Sequence, residues 1–380
     1  MRLHVPMPAF RFRGALHDPR TATAVGRLLG AALLTCFVTG VLSHVLQEPP
    51  HWLADHLPTR PVAGYRFTQG LHVAAGIAAI PLLLVKLWTV YPRLFVQPPL
   101  RGVRHALERL SVAVLVSTAL LQLLLGLVNT TQWYPWPFSF RDVHWALAWA
   151  LTGSLLLHIA VKLPQISSHW RRTGTGTLRL PEDSARDRRS LLLATGAAVG
   201  AVTVTTVGQA VPWLRQATLL APRRPDIGPQ GLPVNRTAAE AQVSHETVRD
   251  WKLTVTGPRG YVLSLPQLHA IQQHTVELPI ACVEGWSMPA HWHGVRVRNL
   301  LALADAPSCA RLRIVSLQQS GAYAVTEMGA GYAQDPLTLL ALQLNGSTLR
   351  LDHGYPARII APNRPGVLQT KWVHRIEVLE

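Results

Sequence analysis

Cys282 ends a short apolar segment and precedes a Gly-Trp turn, in the run Leu278-Pro279-Ile280-Ala281-Cys282-Val283-Glu284-Gly285-Trp286-Ser287. A thiolate at such a strand end is a soft ligand suited to a redox metal. Further along, Asp352-His353-Gly354-Tyr355-Pro356-Ala357-Arg358 and Gln369-Thr370-Lys371-Trp372 place basic side chains on a Gly- and Pro-rich frame suited to an anionic ligand. A second set of residues lies in the first half of the chain, where His44, His72, His144 and His158 fall within or at the ends of apolar runs. Polar groups inside a membrane are expensive, so a functional role is their default reading. His144 and His158 are 14 residues apart, nearly four helical turns and about 21 Å of rise, so they share one face at two depths.

That spacing suits two stacked b-type haems. An outer haem takes His72 and His144 as first choice, with His44 as the rival ligand; an inner one takes His158, with His105 as the best-placed partner. Lys86 stands 14 residues after His72, where a second histidine would be expected, and reads instead as a lysine snorkelling to the interface. The competing reading makes all these histidines interfacial groups hydrogen-bonded between helices.

The elements that must hold these residues follow from composition. Of 380 residues only 15% are charged while 48% are hydrophobic, well under the quarter or so of charged residues typical of soluble domains. Runs at 25–46, 71–90, 110–130, 143–163 and 191–211 reach the length of a bilayer-crossing helix. Lys and Arg in the flanks number five, two, four, one and six in residues 1–27, 47–69, 91–109, 129–142 and 164–190. This alternation puts the N-terminus and the loops near Arg101 and Arg188 in the cytoplasm. Five spans then leave everything after the fifth outside. The net charge of +16 is accounted for by these loops, so nucleic acid is not expected as a partner. Three cysteines are too few for a disulfide framework, and the start of the chain lacks the apolar core of a removable signal peptide. No paired acidic residue is expected within the spans, which argues against a transporter.

The sequence thus divides into a cytoplasmic N-terminus (1–24), a four-helix membrane domain (25–163), a basic loop (164–190), a fifth helix (191–211), a Pro- and Arg-rich linker (212–234) and a final domain (235–380). The last mixes alternating segments, 251–255 and 312–315, with helical candidates around Leu300 and Leu339, which predicts a single mixed α+β core. Asp187-Arg188-Arg189-Ser190-Leu191-Leu192-Leu193 just before the fifth run looks like a twin-arginine export signal.

In its Cys282-Val283-Glu284-Gly285-Trp286-Ser287, Asn345-Gly346, His353-Gly354-Tyr355-Pro356 with Arg358, and Lys371-Trp372 segments, the final domain resembles the molybdopterin domain of the sulfite oxidase family. The resemblance implies that Cys282 ligates molybdenum beside the dithiolene of one molybdopterin, and that Arg358 and Lys371 hold the pterin and its phosphate. It also implies that His353 and the His291-Trp292-His293 stretch, His293 included, lie near the cofactor. The membrane half, with Tyr65-Arg66-Phe67-Thr68-Gln69-Gly70-Leu71-His72, is similar to the b-type cytochromes that accompany bacterial molybdoenzymes.

Together these imply a bacterial multi-pass protein of the cytoplasmic membrane, its C-terminal domain extracytoplasmic. Electrons would pass between quinone and a molybdenum centre through one or two haems, with oxygen-atom transfer on a small sulfur or nitrogen compound. Reduction of an S-oxide is favoured over oxidation of a compound such as sulfite, and a non-catalytic electron-transfer protein is the rival class. A monomer is expected, since no extra dimerisation domain follows.

Overall fold

The computed structural model describes residues 17, 19–92, 102–171, 182–208, 211–224 and 227–379. The first 16 residues, the loop at Arg101 and residues 172–181 of the basic loop lie outside the described residues.

Six helices come first: α1 (Pro19–Gln47), the single-turn α2 (His51–Ala54), α3 (Gly64–Val90), α4 (Val103–Thr130), α5 (Phe140–Arg171) and α6 (Glu182–Val207). All but α2 contain a segment long and apolar enough to cross a membrane. Leu34, Leu84, Leu124, Leu156 and Leu193 are exposed on them, as lipid-facing side chains are. The fifth span ends at Val207, four residues short of expectation. α3 begins seven residues before its apolar run, because Asn363 Oδ1 accepts a hydrogen bond from the Tyr65 backbone N–H at 2.6 Å. One of the orphan amides of the helix start is thereby satisfied from nearly 300 residues away.

The chain packs as two compact units, one formed by residues up to Phe37 with Ala74–Val204, the other by Val38–Val73 with Thr205–Glu380. In the first unit Leu29, Leu33, Ala79, Leu82, Leu83, Ala119 and Leu151 form the core. Lys86 Nζ donates to the Ala22 carbonyl at 2.6 Å. Glu108 on α4, two residues before the 110–130 run, and Lys162 on α5 form an ion pair. Neither member is buried, and helix-end charges reach the interface.

In the second unit the C-terminal residues build two five-stranded sheets. Their strands are β1 (Lys252–Thr256), β2 (Tyr261–Ser264), β3 (Gln273–Ala281), β4 (Ser287–Arg296), β5 (Arg311–Ser316), β6 (Val325–Met328), β7 (Leu339–Leu344), β8 (Ser347–Thr348), β9 (Arg358–Ile360) and β10 (Val373–Leu379). Short helices α7 (Leu265–Ala270), α8 (Val297–Leu303) and α9 (Ala330–Gln334) connect them. One sheet runs β2-β1-β10-β5-β6; the other runs β3-β4-β7-β8, with β9 also paired to β7. The mixed α+β expectation holds. Leu300 lies in α8 as read from the sequence, but Leu339 opens a strand. β7 is buried on both faces, so it lacks the alternation that marks a half-exposed strand and reads as an undivided apolar run.

The connection from α1 to α3 is docked on this fold. Arg60 forms two hydrogen bonds to the Asp335 carboxylate, at 2.7 and 3.3 Å, and Arg311 Nε lies 3.2 Å from Asp55 Oδ1. Asn363 donates from Nδ2 to the Pro58 carbonyl at 2.7 Å and from its backbone N–H to the Val62 carbonyl at 3.1 Å. Four membrane-length helices, α3 to α6, separate the connection from the domain, and an even number of crossings returns the chain to the side it left.

Candidate functional site

Cys282 follows β3 directly and occupies the tight turn into β4. Its backbone N–H donates to the Trp286 carbonyl at 2.9 Å, and Gly285 N–H donates to the Cys282 carbonyl at 3.1 Å. Gly285 sits at φ +97°, and a Cβ built there would lie 2.9 Å from Val73 Cγ2 of α3. Only glycine meets both demands. The thiol is buried, and Asn235 Nδ2 lies 2.6 Å and the Glu284 backbone N 3.4 Å from Sγ. Burial, with the Glu284 charge adding to it, pushes the thiol pKa up, while these two donors and Arg223 pull it down. Without a cation the sulfur stays protonated; beside one, the N–H groups would stabilise a thiolate. Glu284 is buried against Arg223 Nε at 3.1 Å and accepts from Trp286 Nε1 at 3.3 Å.

The same part of the fold carries three basic groups, Arg358 and His353 buried and Lys371 half-buried. Arg358, on β9, donates to the carbonyls of His353 at 3.0 Å and Gln369 at 3.2 Å, and its guanidinium lies 5.1 Å from the Trp292 ring centroid. Its Nε has no hydrogen-bond partner. Lys371 Nζ donates to the carbonyls of Asp352 at 2.6 Å and Arg236 at 2.8 Å. His353 Nε2 lies 2.6 Å from the Pro229 carbonyl. Gly354, at φ +108°, lets the chain turn against the Cβ atoms of Arg358 and Lys371. Burial is the leading cause by which Arg358 is pushed down to about 9, Lys371 to about 7 and His353 to about 4.

None of the three makes an ion pair among the described residues; each donates to neutral carbonyls. Buried cations without a counter-charge are costly, and an anionic ligand would supply one. The orphaned Arg358 Nε, with Asn235 Oδ1, Ser287 Oγ and Gln369 Oε1 also lacking partners, fits a polar, negatively charged cofactor. Among the described residues no group of three His, Cys, Asp or Glu side chains converges, so a metal at Cys282 would take its other ligands from that cofactor.

His353 carries a pH prediction. Its ordinary pKa of 6.5 falls to about 4 in the fold, because a charged ring would be buried and would face the Arg358 guanidinium, and the hydrogen bond to Pro229 offsets only part of this. The stability this contributes is complete above pH 6.5 and is lost as pH falls towards 4, at most about 3 kcal/mol. Thermal melts at pH 7.5 and 4.5 should show that loss, and His353→Gln, which keeps a donor, should flatten it.

His293 is placed elsewhere. Trp292 packs in the cluster that contains Cys282 and Trp286, and strand alternation turns His291 and His293 to the opposite face of β4. There His293 Nδ1 lies 2.9 Å from Thr275 Oγ1. Asn345 serves the frame, accepting from His291 N–H at 3.0 Å and donating to the Gln230 carbonyl at 2.9 Å. All three cysteines are free, so Cys282 and Cys309 form no disulfide.

Sequence reasoning missed Asn235, Arg223 and Gln369. The Asn235 and Arg223 side chains meet Cys282 and Glu284 across gaps of 47 and 61 residues, and the Gln369 backbone carbonyl accepts from Arg358 across 11. No local pattern marks them.

In the helices, His72 Nδ1 lies 3.3 Å from Thr39 Oγ1. A Cβ on Gly40 would lie 3.0 Å from the His72 ring. His144 Nε2 lies 3.1 Å from Gln122 Nε2, and its ring stacks on Phe140. His44, His105 and His158 are half-buried, the last with Lys86, Lys162 and Glu108 as charged neighbours.

Comparison with known proteins agrees with this geometry. The family described as "Oxidoreductase molybdopterin binding domain" matches residues 240–380. YedZ1 of Azospira oryzae, named for a protein-methionine-sulfoxide reductase subunit, is 28% identical over 44% of this chain and 63% of its own length. The protein-methionine-sulfoxide reductase catalytic subunit MsrP of Gluconobacter oxydans is 28% identical over 53% of this chain and 72% of its own. Mitochondrial sulfite oxidase of Mus musculus is 26% identical over 38% of this chain and 32% of its own. The chain thus spans from about a third to under three quarters of these relatives. Residues 240–380 thus match a molybdopterin-binding oxidoreductase domain, on a chain with five membrane-length helices.

Proposed function

We propose that the protein takes electrons from membrane quinol and uses them at an extracytoplasmic molybdenum centre to reduce a small S-oxide. The overall reaction balances as quinol plus S-oxide giving quinone, thioether and water, with two electrons and two protons transferred. The observation that carries this reading is the buried Cys282 sulfur in one cluster with Trp292, on whose ring the Arg358 guanidinium lies, and the pairing of Arg358, Lys371 and His353 with neutral carbonyls among the described residues. Bound there, the molybdenum cofactor supplies a two-electron centre that exchanges an oxygen atom with substrate. Cys282 would be its thiolate ligand, with Asn235 and the Glu284 N–H stabilising the sulfur's charge. Arg358 and Lys371 would neutralise the pterin phosphate, and His353 would fix the turn that presents them. The names of the MsrP and YedZ1 relatives support an S-oxide as substrate.

A b-type haem would carry electrons singly through the helices. His72 is the first ligand: with Nδ1 oriented by Thr39, iron would be taken at Nε2, the arrangement common for metal-bound histidine. His144 is the partner proposed from its place in the sequence, and His44 is the alternative. His158 and His105 would serve a second haem, disfavoured by the cations near His158. The domain would face the outside and the N-terminus the cytoplasm, with the twin-arginine segment serving export of the loaded domain.

Metal analysis tests the reading. Protein purified from its native membranes should contain about one molybdenum and one or two irons per chain, and should oxidise quinol only when an S-oxide is present. Iron without molybdenum would remove the enzyme. The likeness to sulfite oxidase favours a second direction, oxidation of a sulfur compound with electrons delivered to quinone; sulfite-dependent quinone reduction in the same preparation would establish it instead.

A further inference from the structure

The second membrane-length helix, α3, reaches the Cys282 turn through one polar side chain, Gln69. Gln69, in the second turn of α3, is 5% exposed. Its Nε2 donates to the Val283 carbonyl, the residue after Cys282, at 2.8 Å. Its Oε1 accepts from Ser43 Oγ on α1 at 2.8 Å, and Ser43 in turn accepts from Gln47 Nε2 at 3.0 Å. One turn further into the helices, Thr39 of α1 meets His72 of α3. Ser43–Gln69 and Thr39–His72 are thus successive rungs of one polar ladder, three residues apart on α3, and the upper rung ends on the Cys282 turn. Val73 closes the other side of that turn against Gly285. A buried polar chain in a membrane helix is expensive, and this one joins the two places where the proposed function needs electrons to be.

We propose that Gln69 is the coupling residue between the membrane helices and the metal held by Cys282: electrons arriving at His72 pass along α3, through the Gln69 carboxamide and the Val283 carbonyl, to the Cys282 sulfur. Quinol gives up two electrons and two protons and becomes quinone. The electrons cross one at a time, and at the far end the S–O bond of the substrate breaks, its oxygen leaving as water with the two protons. Gln69 touches no reacting atom; it is a positioning residue whose hydrogen bond replaces a through-space gap. The inference rests on the reading above, that His72 holds haem and Cys282 holds molybdenum.

The test uses the full-length chain in detergent, with molybdenum and iron determined for each variant. Haem reoxidation is followed by stopped-flow absorbance after mixing reduced protein with methionine sulfoxide, and turnover is measured separately with reduced viologen as a soluble donor. Gln69→Leu should slow haem reoxidation about tenfold while viologen-driven turnover stays within about twofold and metal content is unchanged. Gln69→Glu keeps the size and the acceptor for Ser43 but loses the donor to Val283; it should slow reoxidation similarly, and it stands as the test if the leucine variant fails to accumulate. Reoxidation at the wild-type rate in Gln69→Glu overturns the inference, as does a parallel fall of both rates with loss of molybdenum, which marks a purely structural role. If the wild-type protein shows no haem band, or one that methionine sulfoxide does not reoxidise, the proposed function itself falls.

Discussion

Replacing Cys282 by Ser is expected to cut turnover by at least ~10³-fold, about 4 kcal/mol of barrier, while the helices keep their absorbance spectrum. The side chain is nearly isosteric, and the Asn235 amide and Glu284 N–H that approach the sulfur would find an oxygen in its place, so the turn should keep its shape. What changes is the donor. A soft, polarisable thiolate becomes a hard hydroxyl that must ionise in a buried position where even the thiol is held protonated. Activity assays beside metal analysis separate the two ways of failing. Molybdenum retained without turnover makes the sulfur a tuning ligand; molybdenum lost makes it an anchor. Turnover within tenfold of wild type would remove Cys282 from the centre.

Arg358→Met should weaken cofactor retention by ~10²- to 10³-fold, yet move the melting temperature of the cofactor-free protein by only a few degrees. Two effects oppose one another in the empty domain. Removing the guanidinium strips donors from the His353 and Gln369 carbonyls, at about 1–3 kcal/mol each. It also removes a fully buried charge whose pKa, pulled from 12.5 to about 9, corresponds to roughly 5 kcal/mol of unfavourable burial. These nearly cancel. With the anion bound there is no such cancellation, because the charge then has its partner, and breaking a buried pair costs about 3–5 kcal/mol. Molybdenum per chain against differential scanning calorimetry of the empty form would distinguish this from simple misfolding, in which both readouts collapse together.

Much of this was legible in the sequence because its determinants are local. A bilayer-length apolar run needs no partner to be recognised, and five such runs emerged as five helices. The strand end and turn at Cys282 and the Gly- and Pro-rich frame around Arg358 and Lys371 were legible locally, whereas the roles proposed for these residues came from the resemblance. Leu339 was misread because burial on both faces erases the alternation that distinguishes a strand. The placement of His293 shows the converse: a residue beside a buried tryptophan in a strand faces the other way, a period-two consequence that resemblance alone does not apply. Hidden altogether were contacts between distant parts of the chain. Nothing near Tyr65 signals that Asn363 caps its helix, nothing near Asn235 signals the Cys282 sulfur, and Gln69 looks like any polar residue at a helix start. Such side chains gain their roles only after the sheets have formed and the α1–α3 connection has closed on them.

That closed connection bears on why the two halves share one polypeptide. Its bonds to the domain are individually weak: the Arg60–Asp335 and Arg311–Asp55 pairs are partly exposed, a kind of pair worth about 0–1 kcal/mol, and the others cited are hydrogen bonds of Asn363. Between separately made proteins they would have to overcome the loss of translational freedom at each encounter. Within one chain the domain meets its docking segment at an effective concentration on the order of millimolar, so even a modest set of contacts keeps the Cys282 turn engaged. Covalent tethering substitutes for affinity, and the interface can remain small without being intermittent.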